Sequence, residues 1–501
     1  MLAMKNRAAA LLGFLILSLA TGAGAQRDSD RPTDRQPDRQ PNIIYILADD
    51  LGYGELGCYG QEKIRTPHVD RLARRGMRFT DHYSGHAVCA PSRCVLMTGM
   101  HTGHAYIREN SPWASGQNPH GEGQEPLPDD VVTLAELLKE QGYATSCVGK
   151  WGLGGPDTEG APERQGFDHF FGYMCQKQAH DYYPEHLWRN GEKVELDNPL
   201  YLGHERLEQA PADYARYTGN DYAPDLMLDE AMGFIREHQD EPFFLWYASP
   251  IPHVSLQVTQ PWVDMYADEG WDDGPYLGAR GYLPHPQPRA AYAGMISHLD
   301  DEVGRIVALV EQLGLTGDTI IIFTSDNGAT FNGGVDHQFF QSNAPLRGVK
   351  TQLWEGGIRV PMIACWPGHI DAGSETGHPS YFADVLPTCV ELAGGTPPQG
   401  IDGVSYLPTL LGQGDQPEHR YMYWENGSSQ ALRIGEWKAV RMNLRRNADA
   451  PVQLYNLAED IAEEHDLADR HREVADQMLR IMIQDRTVSE IFRHPADAAK
   501  P

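Results

Sequence analysis

Short apolar runs recur at 42–48, 144–148, 243–248 and 319–324. Between them lie segments whose apolar residues return every three or four positions, notably 132–141 and 292–313. Unbroken apolar runs of strand length mark strands buried on both faces, whereas the longer period marks helices with one buried face. Their alternation predicts an α/β fold, a large and mostly parallel sheet sandwiched by helices. Each run stops at polar residues: Asp49-Asp50, Gly149-Lys150, Ser249-Pro250 and Ser325-Asp326-Asn327. Ligands of open α/β sheets bind beyond the carboxyl ends of strands, so these termini are expected to meet in one crevice.

After about residue 400 the pattern shortens to alternating stretches at 421–424, 432–434, 437–441 and 453–457, followed by a helical period over 472–484. This predicts a smaller C-terminal α+β subdomain, an antiparallel sheet plus helix, over 401–501, beside a catalytic domain over 42–400. The first 25 residues carry Lys5 and Arg7, an apolar stretch over 8–20 and then Ala23-Gly24-Ala25, the pattern of a secretory signal peptide. Residues 26–41 repeat Arg, Asp, Gln and Pro and predict a disordered linker. The apolar stretch is shorter than the ~20 residues that span a bilayer, so the mature chain is expected outside the cytoplasm, secreted or periplasmic, with no membrane attachment after cleavage.

With 501 residues, 41% of them hydrophobic, the chain can bury a large core. Its net charge of -29 argues against nucleic acid as a partner, because phosphate binding needs a concentrated basic face. Surface charge is screened over about 8 Å, so an anionic substrate remains compatible with a local cationic pocket. The seven cysteines are scattered rather than set at zinc-ligand spacing, and their odd number leaves at least one thiol outside any disulfide scheme.

The densest chemical signal is Cys89-Ala90-Pro91-Ser92-Arg93-Cys94, followed by Val95-Leu96-Met97-Thr98-Gly99. Its proline sets a helix start and puts Cys89 at the positive end, where anions are stabilised. This stretch resembles the signature of the type I, formylglycine-dependent sulfatases of the alkaline phosphatase superfamily. The resemblance continues through Asp49-Asp50-Leu51-Gly52, Gly149-Lys150-Trp151, Ser325-Asp326-Asn327-Gly328, Glu355-Gly356-Gly357-Ile358-Arg359-Val360-Pro361 and Leu454-Tyr455-Asn456-Leu457. It implies that a formylglycine-generating or anaerobic maturating enzyme oxidises Cys89, and that one Ca2+ is held by Asp49, Asp50, Asp326, Asn327 and the modified Cys89. Three carboxylates and an amide oxygen are independently a hard-oxygen set suited to calcium or magnesium.

A sulfate ester concentrates negative charge on oxygens that must be held during attack at sulfur, and Arg93, Lys150 and Lys350 can supply the opposing field. The resemblance implies that the hydrated formylglycine attacks with help from Asp326 and that His253 protonates the departing alcohol. It also exposes a gap. Family members commonly carry histidine two residues after the lysine, where it helps expel sulfate; here that position is Gly152, and His104 or His180 is a candidate replacement. Arg108, Trp113, His180, Tyr182 and His337 are candidate substrate contacts, because insertions after strands set specificity. The expected substrate is a sulfated carbohydrate. The alternatives are phosphoester or phosphonate hydrolysis by the same superfamily and a sulfated-glycan-binding protein without turnover.

Overall fold

The computed structural model describes residues 40–112, 122–200, 203–209 and 215–499. The expected signal peptide, nearly all of the linker, and Trp113 lie outside them. The described residues fall within one compact unit.

A ten-stranded sheet forms the centre. Its middle five strands, Thr319–Ser325, Asn42–Ala48, Phe243–Ala248, Ala144–Lys150 and His169–Tyr173, are mutually parallel and stand side by side in that order. The four apolar runs picked out in the sequence are four of these five. Their unbroken apolarity has a simple cause. Ile43, Tyr45 and Leu47 enter one hydrophobic core while Ile44, Ile46 and Ala48 enter the other, so alternate side chains are buried on opposite faces. Antiparallel strands close the sheet on both sides, with Met362–Cys365 against Thr319–Ser325 and His186–Arg189 against His169–Tyr173.

Helices Cys89–Thr98, Leu134–Glu140 and Val385–Leu392 cover one face. Helices Pro67–Arg75, Ala223–Glu237 and Pro288–Gln312 cover the other. The Leu134–Glu140 helix starts at a capping box in which Thr133 and Glu136 satisfy each other's backbone N–H groups. The sequence pattern places this helix over 132–141; its capping box sets the start two residues later.

The C-terminal strands Met422–Asn426, Ser429–Ile434, Trp437–Arg441 and Gln453–Asn456 form an antiparallel sheet in sequence order. Helix Arg472–Gln484 packs Ala475, Met478 and Met482 onto one face of it, against Tyr423, Leu432, Ala439 and Leu454. Trp424 belongs instead to the core of the large sheet and donates its indole N–H to the Ser84 carbonyl at 2.9 Å. Among the described residues no helix is long and apolar enough to cross a membrane.

Candidate active site

The crevice forms where the central strands end. Asp49 and Asp50 follow Asn42–Ala48, Lys150 closes Ala144–Lys150, and Asp326 and Asn327 follow Thr319–Ser325, whose last residue pairs with Ala48. Asp50 turns the chain with φ +72°, a conformation that few non-glycine residues adopt. Backbone bonds hold the turn in place. The Asp50 N–H donates to Asp326 Oδ1 at 3.1 Å and the Leu51 N–H to Ser325 Oγ at 2.9 Å.

Cys89 is the first residue of the Cys89–Thr98 helix, which is buried throughout. Ser92, one turn on, donates to the Asp326 carbonyl at 2.6 Å and pins the helix start to the strand end. Cys89 Sγ thereby lies 3.2 Å from Asp49 Oδ1 and 4.0 Å from Asp50 Oδ1. Lys150 Nζ and Lys350 Nζ approach the same sulfur at 3.5 and 3.7 Å. Lys150 also bonds Asp49, and Lys350 lies 2.7 Å from Asp50. Arg93 donates from Nη2 and Nε to Asp326 Oδ2 at 2.8 and 3.2 Å and from Nη1 to the Lys150 carbonyl.

Asp49, Asp50 and Asp326 are thus balanced one for one by Arg93, Lys150 and Lys350, in a site where all but Lys350 are fully buried. Burial works to raise the Asp49 carboxyl, but Lys150, His253, Arg93 and Lys350 outweigh it and hold it well below the usual range. Burial and the neighbouring Asp49 push Asp326 up to about 7 against the pull of Arg93. Burial, then Asp326 and Asp49, drive the Cys89 thiol well up, so the unmodified side chain stays protonated and weakly nucleophilic.

Asp49, Asp50, Cys89 and His253 present ligand atoms within 4.8 Å of one another. Asn327 donates through Nδ2 to Asp50 Oδ1 at 2.8 Å, while its Oδ1 is buried and has no hydrogen-bond partner among the described residues. An orphaned amide oxygen beside two carboxylates is the donor set of a hard divalent cation, and the residues present fit one.

His253 follows strand Phe243–Ala248, with Nε2 3.7 Å from Asp50 Oδ2 and Nδ1 bonded to the Val254 carbonyl. That bond makes Nδ1 the protonated nitrogen and leaves Nε2 free for the crevice. Burial, Lys350 and Lys150 hold its pKa well below 6.5. His180 stacks on His253 with ring centroids 4.9 Å apart, and His204 and Tyr282 continue the aromatic lining outward. Neither His204 nor Tyr282 carries a local signal in the sequence, and only the fold brings them here.

Other expected contacts lie elsewhere. Arg108 is buried at the junction with the C-terminal sheet and donates to Glu425 at 3.2 Å and to the Thr487 carbonyl at 2.8 Å. Tyr182 is fully buried, and its hydroxyl bonds the carbonyls of Pro250 and His253, so it supports the His253 loop from behind. His337 lines a separate cavity of about 520 Å³ with Asp272, Arg280 and Arg289. His104 binds Asp402 at 3.0 Å and stacks on His101, beyond the far end of the Cys89–Thr98 helix. That leaves His180 as the nearer of the two histidines considered for the role missing at Gly152.

A family model described as Sulfatase matches residues 41–395, and one described as N-sulphoglucosamine sulphohydrolase, C-terminal, matches 349–487. The chain belongs to the sulfatase family. It is a sulfuric ester hydrolase. N-acetylgalactosamine-6-sulfatase of Rattus norvegicus is 33% identical over 79% of this chain and 71% of its own length. N-acetylgalactosamine-6-O-sulfatase of Bacteroides thetaiotaomicron is 31% identical over 89% of this chain and 93% of its own. The crystal structure of Ps i-CgsB superposes with a TM-score of 0.72 at 28% identity, covering 92% of this chain and 96% of that one; it is also solved in complex with k-i-k-neocarrahexaose.

Proposed function

We propose that this sulfatase hydrolyses sulfate monoesters of a carbohydrate after Cys89 is matured to formylglycine, with one Ca2+ held by Asp49, Asp50, Asp326 and Asn327. One observation carries the reading: Cys89 lies at a helix start, between two carboxylates at 3.2 and 4.0 Å and two lysines at 3.5 and 3.7 Å. When present, the matured residue and the cation supply an oxygen nucleophile and extra positive charge. With three carboxylates already balanced by three cations, that added charge makes the crevice attractive to an anion.

The chain's own residues do the rest. Lys150 and Lys350 hold sulfate oxygens, and burial strengthens both contacts by lowering the local dielectric. Arg93 fixes Asp326 in register with the nucleophile. His253 Nε2 faces the crevice; a bound sulfate anion favours its taking up a proton, which it then passes to the departing alcohol, with His180 stacked on it to hold the ring plane. A carbohydrate substrate is supported by the relatives named for N-acetylgalactosamine sulfates and by the oligosaccharide complex of Ps i-CgsB. The signal pattern over residues 1–25 supports export to the periplasm or medium, which places the enzyme among extracellular glycans.

Purified enzyme carrying matured Cys89 tests this on sulfated galactose and N-acetylgalactosamine sugars beside an aryl phosphate. Sulfate release is expected to dominate, and Cys89→Ala to abolish it by more than about 1,000-fold. Faster phosphate release, or tight sugar binding without turnover, would overturn the reading.

A further inference from the structure

Beyond Lys150 the chain runs through Trp151 to Gly152, which adopts φ +82°. A Cβ placed on Gly152 would lie 1.8 Å from Gln176 Nε2 and 2.9 Å from Gln176 Cδ. The Gln176 carboxamide therefore fills the space that any side chain at position 152 would enter. Gln176 follows strand His169–Tyr173, which pairs with Ala144–Lys150 so that Tyr173 stands opposite Lys150. Both residues leave adjacent strand ends, at the same edge of the sheet from which Lys150 reaches Cys89.

A second observation concerns the amide itself. Gln176 is only 6% exposed, and both Nε2 and Oε1 are buried without a hydrogen-bond partner among the described residues. Interiors rarely leave both ends of a primary amide unsatisfied, because each end loses water and gains nothing. Nothing in the local chain requires a polar group here, since an apolar side chain of the same length would fill the space without that loss. Such an amide is poised for a ligand that arrives later.

We infer that Gln176 is a substrate-contacting residue of the sulfatase site, standing where the side chain absent from Gly152 would be. Its N–H donates to a sulfate oxygen, and its carbonyl accepts from a hydroxyl beside Cys89. A carboxamide does not titrate, so Gln176 supplies hydrogen bonds and no proton. This chain therefore holds sulfate at that side of the crevice without an acid or base at position 152. The inference rests on the sulfatase reading and adds a residue to it.

Gln176→Met tests it, because methionine keeps the length and removes both polar atoms. The variant is expected to lose about 100-fold in kcat/KM on a sulfate ester that the wild type cleaves. Inhibition by inorganic sulfate should weaken by about tenfold. Its melting temperature should stay level or rise, since an unsatisfied amide has left the interior. Wild-type kcat/KM and sulfate inhibition in Gln176→Met would overturn the inference and leave the sulfatase reading standing. A drop of several degrees in Tm with unchanged sulfate inhibition would also overturn it, by making the amide a packing element. A wild type with matured Cys89 that releases sulfate from no ester would remove both.

Discussion

Among the described residues, the buried charges at the seam and those around Cys89 are finished differently. At the seam between the large sheet and the C-terminal sheet, Lys438 Nζ lies 2.8 Å from Glu355 and 2.9 Å from Glu463. Arg359 and the Tyr83 hydroxyl take the other Glu355 oxygen. On strand Met422–Asn426 of the C-terminal sheet, Glu425 is held by Arg486, Arg108 and the Tyr423 hydroxyl. Every oxygen of Glu355 and Glu425 is bonded, whereas Glu463 Oε1 meets Lys438 only as an ion pair and has no hydrogen-bond partner among the described residues. Around Cys89 the charges also balance, yet Asn327 Oδ1 and both Gln176 amide atoms have no hydrogen-bond partner among the described residues. Paired buried charge locks two sheets together, whereas unpartnered polar atoms beside the charges of a crevice at the strand ends are placed to meet a ligand or cation.

Breaking the seam should therefore affect stability far more than chemistry. Lys438→Met leaves two buried carboxylates facing each other and is expected to cost about 3–5 kcal/mol in denaturant unfolding. The folded fraction should keep its specific activity. Loss of activity without loss of stability would blur the distinction between the two clusters.

Acid should attack the seam as well. Burial works to raise the Glu425 carboxyl, but the bond and charge of Arg486 hold it down at about 2, against an ordinary value of 4.5. A depressed carboxylate stabilises fully above the unfolded value, and its contribution is lost as pH falls from about 4.5 toward 2. Between pH 6 and 2, Glu425→Gln should remove about 3 kcal/mol of the pH dependence of unfolding. An unchanged pH profile would show that Glu425 is not under this tension.

The smallest effect belongs to the unsatisfied side. Asn327→Ala removes an orphaned oxygen together with the Nδ2 bond to Asp50, two opposing effects, so Tm without added metal should change little, while activity falls about 10- to 100-fold and recovers as calcium is raised. A calcium-insensitive loss would place Asn327 outside the cation site.

Much of this was legible before the fold was known. Residues buried on both faces announce themselves as unbroken apolar runs, so four central strands and their polar ends could be read directly, and Cys89, Asp49, Asp50, Lys150 and Asp326 converge where those ends meet. Gln176, His204 and Tyr282 were not legible. Each sits in a loop with no periodicity, and its position depends on strand order, which a sequence does not spell out. Arg108 and Tyr182 misled for a related reason. Cationic and aromatic residues near a motif serve packing as readily as binding, and here one ties down the seam and the other braces the His253 loop.

The central claim is that matured Cys89 is the reacting group for sulfate ester cleavage. Mass spectrometry of the peptide containing Cys89, taken from enzyme that is actively releasing sulfate, tests it most directly. The account predicts formylglycine at position 89, in a proportion that tracks specific activity across preparations. Intact cysteine at that position in fully active enzyme would contradict it.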